Sequence, residues 1–86
     1  MKKDVYQYLL VETFKPTIHE PTDAKIRVRP LPGQGVPTDL RVECSRSIRE
    51  KYPVGTVFRI WAKLTDMEGT DFIYSHYKSP VEVVAK

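Results

Sequence analysis

The chain has 86 residues, a net charge of +3, 41% hydrophobic residues and 29% charged ones. That is room for one domain, residues 1–86, with one small core, and the composition is that of an ordinary globular protein. A single cysteine excludes an intrachain disulfide, one cysteine with two histidines falls short of a structural zinc site, and no apolar run approaches the about 18 residues of a membrane span.

The opening stretch MKKDVYQYLLVETF is not read as a signal peptide, because Gln7 and Glu12 interrupt its apolar residues and no small-residue cleavage site follows. A cytoplasmic location is expected. The positive charge is unevenly spread: residues 25 to 59 hold eight Lys/Arg against three Asp/Glu. A basic centre in a nearly neutral chain suits a polyanionic partner, and equally suits a solvated face.

Prolines and glycines recur too closely for long helices, and between them the apolar period is two. Residues 5–14 read as a first strand, with Val5, Leu9 and Val11 on one face and Tyr6, Tyr8, Leu10 and Phe14 on the other. Both faces are apolar, which predicts a central or strongly bent strand. KPTIHEPTD is a loop, and His19 a loop histidine. KIRVRPL alternates, Ile26 and Val28 inward and Lys25, Arg27 and Arg29 outward. DLRVECS alternates again, Leu40, Val42 and Cys44 inward and Arg41 and Glu43 outward. These two strands are expected to form a hairpin with residues 30–38 as a long, disordered tip.

SRSIREKYP holds the one helical segment, residues 46–51. Ser47 and Glu50 have capping-box spacing, Ser45 is an equally good cap, and Tyr52 before Pro53 stops the helix. Residues 56–65 alternate Thr56, Phe58, Ile60, Ala62 and Leu64 inward with Val57, Arg59, Trp61 and Lys63 outward. TDMEGT is a hairpin loop with Gly69 at a left-handed position. DFIYSHY returns, and PVEVVA is a short last strand with Pro80 at its start. The expectation is an all-β fold, a small five-stranded barrel or rolled sheet with one short helix. In size it resembles SH3-like and OB-like barrels, a likeness of architecture alone.

The chemistry is sought on the outward faces. Arg59, Trp61 and Lys63 project together, Arg27, Arg29 and Arg41 project from other strands, and Tyr74, His76 and Tyr77 come from the strand after the hairpin. Aromatic rings among guanidinium groups suit single-stranded nucleic acid, rings for bases and cations for phosphates, with Arg46 and Arg49 of the helix assisting. The same residue types form protein-interaction or assembly sites. The competing structural reading packs Trp61 with Val57 and the helix, under the stems of Arg59 and Lys63.

No catalytic constellation emerges. Asp66, Glu68 and Asp71 surround a hairpin turn where solvation is the rule, and they lack the spacing of a calcium loop. Cys44 alternates with buried residues and reads as an inert thiol. Ser75 and His76 are strand neighbours and point to opposite faces. The reading is a non-catalytic binding module without cofactor or metal, binding nucleic acid or, alternatively, a protein partner.

Overall fold

The computed structural model describes residues 1–15 and 26–85. The loop read over residues 15–23 falls largely outside them, as do His19 and Lys25. Among the described residues, six strands and one short helix follow in chain order: β1 (Gln7–Phe14), β2 (Arg27–Pro30), β3 (Val42–Glu43), α1 (Ser47–Glu50), β4 (Val57–Thr65), β5 (Phe72–Tyr74) and β6 (Val81–Ala85). No helix among the described residues is long and apolar enough to cross a membrane.

All six strands belong to one sheet, ordered β2-β1-β4-β5-β3, with β6 added beside β4. β4 is its spine. Its alternating pattern buries Phe58, Ile60 and Ala62 completely, and Thr56 just before it. Antiparallel β1 sets Leu9 opposite Ile60 and Val11 opposite Phe58, so the two strands' apolar sets meet on one face. The other edge of β4 is shared: β6 pairs with residues 57–60 and β5 with residues 63–65. Val28, Val42, Ile73 and Ile48 complete the core. Along β1, Leu9, Val11 and Thr13 are buried, whereas Val5, expected on the face of Leu9 and Val11, precedes the strand and is 43% exposed. β1 is central, between β2 and β4, as its two apolar faces predict.

Three expectations are corrected. β2 and β3 do not form a hairpin: β2 pairs antiparallel with β1, and β3 pairs parallel with β5. The expected five-stranded barrel or rolled sheet is an open sheet of six strands, one for each strand segment read along the chain. It rolls until Cα atoms of β2 and β3 come within 8 Å, but among the described residues no backbone hydrogen bond crosses that seam. Residues 31–36, expected as a disordered tip, are instead tied down. The Gln34 side chain accepts from Leu10 N–H (2.7 Å) and donates to the carbonyls of Leu10 (2.8 Å) and Leu31 (2.9 Å), while Val36 is buried. One amide thus acts as a strand rung on the edge of β1 beyond the end of β2. Having spent its polar edge on β1, this loop carries the chain past β2, and the next segment reaches β5.

The helix is a single turn, and of the two expected serine caps only Ser45 binds a first-turn N–H. Arg46 occupies the N-cap position without a side-chain cap bond, and the Ser45 hydroxyl accepts from Ser47 N–H at 3.3 Å. The 65–70 turn is a hairpin loop as read, with Gly69 at φ 92°.

Candidate functional site

The residues singled out from the sequence divide between two surfaces. On the outer face of β4, Trp61 is 37% exposed, neither core nor fully free. Tyr6 stacks on it, with ring centroids 6.0 Å apart and planes at 15°, and Tyr8, its register partner, meets it edge-on at 4.9 Å. Covering therefore comes from β1 and the residue before it, not from Val57 and the helix. The flanking cations are engaged. The Arg59 guanidinium lies 4.5 Å from the Tyr8 ring centroid and 2.7 Å from a Glu82 carboxylate oxygen. Lys63 sits 5.4 Å from the Tyr6 ring centroid and 4.0 Å from Asp4. A phosphate here would displace existing carboxylates, and each exchange of one exposed pair for another gains about 1 kcal/mol or less.

The second surface is a groove of about 700 Å³ along the seam between β2 and β3. Val28 and Val42, from the two strands that approach without pairing, form part of its wall, with half-buried Leu40 and Cys44. Arg27 and Arg29 enter from β2, because the inward turn of Val28 sends its neighbours outward. Arg41 enters from the residue before β3, and Arg46 and Arg49 from the turn around α1, whose Ile48 is plugged into the core. Five guanidinium groups thus face two carboxylates on the groove wall, Asp39 and Glu43. Tyr74 and Tyr77 supply aromatic surface.

These arginines differ in what they already hold. Arg29 is bound to Glu12 at 2.9 Å and covers the Phe14 ring. Arg41 is bound to Glu68 at 2.8 Å, lies 3.5 Å from Glu43, and covers Phe72. Among the described residues, Arg46 and Arg49 have no carboxylate partner. Arg49 does act on Cys44: burial pushes that thiol from its ordinary 9.0 up to about 11, and the nearby guanidinium opposes the rise. Cys44 is half-buried and, at neutral pH, protonated.

Tyr74 connects the two surfaces, since it stands opposite Lys63 on one side and Glu43 on the other. His76 belongs to neither. Its ring stacks on Tyr77 at 4.7 Å and its Nδ1 accepts from Lys78 N–H at 3.1 Å. Ser75 is buried and its hydroxyl donates to the Trp61 carbonyl, so the opposite facing of Ser75 and His76 holds. The carboxylates of the 66–71 loop are also accounted for. Lys3 binds Asp66 at 3.1 Å and Asp71 at 3.2 Å, which raises the Lys3 pKa, the Asp66 hydrogen bond most of all, and Arg41 takes Glu68. Among the described residues, no three His, Cys, Asp or Glu side chains gather as a metal site would require.

Sequence reasoning treated Arg46 and Arg49 as helpers and missed the groove. The basic run from Arg41 to Lys51 was the available signal. The pairing of β3 with β5, which closes the groove wall, has no local mark. Comparison of the chain with family models, curated proteins and solved structures finds no match.

Proposed function

We propose that the chain is a non-catalytic binding module, acting in the cytoplasm, that holds single-stranded nucleic acid along the groove between β2 and β3. One observation supports this reading: Arg46 and Arg49 present guanidinium groups with no carboxylate partner among the described residues to a groove that also holds Tyr74 and Tyr77. An arginine fork matches a phosphate's oxygens bidentately, and at these two arginines no ion pair among the described residues need be broken. Tyr77 is 66% exposed, with His76 stacked against its ring, and offers a base a stacking surface. Only unpaired bases can reach such a ring, which selects single strands over duplex. The outer β4 face contributes little, because Glu82 and Asp4 already answer Arg59 and Lys63.

Fluorescence anisotropy of a labelled, mixed-sequence single strand tests this. Affinity is expected to fall steeply between about 50 and 200 mM salt, and Arg46→Ala or Arg49→Ala to weaken binding and each flatten the log–log salt slope by about 0.7. Arg59→Ala is expected to leave both unchanged. Salt-insensitive binding, or loss of binding on Arg59→Ala alone, would sink the groove reading.

The alternative, a protein-interaction module, is favoured by Tyr8, which lies 57% exposed beside Trp61 in charge-neutral surroundings. In that case a protein partner, and not a single strand, would alter Trp61 emission.

A further inference from the structure

The turn of α1 seats two arginines side by side. Arg49 N–H donates to the Arg46 carbonyl at 3.0 Å, so the two residues stand one turn apart, a spacing at which side chains are neighbours. Ile48, 1% exposed, anchors the turn in the core, and both arginines line the groove between β2 and β3. The carboxylate of the turn, Glu50, is exposed and is not part of the groove wall. Arg49 is half-buried, and its charge reaches Cys44 on that wall, where it opposes the rise of the thiol pKa. Of the groove's two carboxylates, Glu43 lies 3.5 Å from Arg41, and Asp39 forms no ion pair with either arginine of the turn. Two adjacent positive charges thus face the groove with no carboxylate partner among the described residues.

We infer that Arg46 and Arg49 together bind a terminal phosphate monoester, so that the groove takes a single strand by a phosphorylated end. The inference rests on the nucleic-acid reading of the groove and names the part of the strand that is bound. A phosphate inside a strand is a diester with a single negative charge and two free oxygens, which one guanidinium fork already occupies. A monoester carries about 1.5 to 2 negative charges at neutral pH and three free oxygens. Two neighbouring forks are matched by that larger charge and that third oxygen. A pair of lysines would attract either phosphate as point charges, whereas planar forks also respond to the number of oxygens presented. Tyr77, 66% exposed in the same groove, offers its ring to the base next to the phosphorylated end.

Anisotropy titrations of one labelled single strand, phosphorylated at its 5′ end, at its 3′ end or at neither, test the inference. An unphosphorylated strand two nucleotides longer controls for the added charge. One of the phosphorylated ends is expected to bind about fivefold more tightly than either unphosphorylated strand, the yield of one further partly exposed charge pair. Arg46→Ala and Arg49→Ala are each expected to abolish that preference with an unchanged far-UV spectrum, and Arg59→Ala to retain it. Equal binding of the phosphorylated and the longer strands overturns the inference and leaves the groove reading standing, as does a preference that survives both alanine variants of the turn. Displacement of the phosphorylated strand by a nucleoside monophosphate as readily as by the unlabelled strand also overturns it, because the ligand is then a free nucleotide. Absence of binding by every strand overturns both readings.

Discussion

At the residue scale, two side chains do work that their identities alone do not announce. Gln34 completes the edge of β1, and its Oε1 is the acceptor for the half-buried Leu10 N–H. Gln34→Ala strands that donor, while the Leu10 carbonyl keeps its bond from Leu31 N–H at 3.1 Å. The expected loss is about 1–3 kcal/mol in urea denaturation, and Gln34→Glu is expected to lose stability as well, because its second carboxylate oxygen would face the Leu10 and Leu31 carbonyls where the amide donates. Cys44 has a pKa raised to about 11 by burial, so the unfolded thiol releases its proton first as pH rises. Its contribution to stability is intact below the ordinary value of 9.0 and declines through the window up to about 11. Denaturation midpoints of wild type and Cys44→Ala, followed across that window, are expected to converge. That this thiol turns partly inward was legible from its alternation with Leu40 and Val42. The role of Gln34 was not, because a glutamine in a proline-glycine loop has no fixed partner until the chain is folded.

At the element scale, α1 shows how a sequence signal can be right in place and wrong in mechanism. One turn of four residues has no stability of its own, because nucleation fixes several residues for one hydrogen bond. Side-chain capping adds one long bond, from Ser47 N–H to the Ser45 hydroxyl at 3.3 Å. The turn is held by Ile48, which is 1% exposed in the core. Ile48→Ala is expected to cost about 2–5 kcal/mol, read from chemical denaturation. Because Arg46 and Arg49 flank Ile48, the same substitution is expected to weaken single-strand binding under conditions where the protein stays folded. β4 was legible almost residue by residue, since strict alternation of a half-buried strand writes itself into the sequence. Its period slips only near the end, where Leu64 is half-buried and Thr65 buried as the strand passes from β6 to β5.

At the scale of the whole molecule, the distribution of charge decides where a polyanion would bind. Sequence periodicity groups Arg59, Trp61 and Lys63 with Arg27, Arg29 and Arg41, because all point outward. Folding separates them: Glu82 and Asp4 answer the cations on β4, while the helix turn brings Arg46 and Arg49 to the seam. The salt slope of single-strand binding is therefore expected to report the helix arginines and not Arg59 or Lys63 on β4. Strand content, the inward sets of β2 and β4, the 65–70 hairpin and the single short helix were determined by the sequence by itself, since period, proline and glycine act over a few residues. Only the tertiary structure decided the partner of β3, the open seam, the ordering of the 31–36 loop and the state of each arginine. Strand partners and ion pairs depend on residues far apart in the chain, and no local pattern of side chains records which distant backbone or carboxylate will arrive beside them.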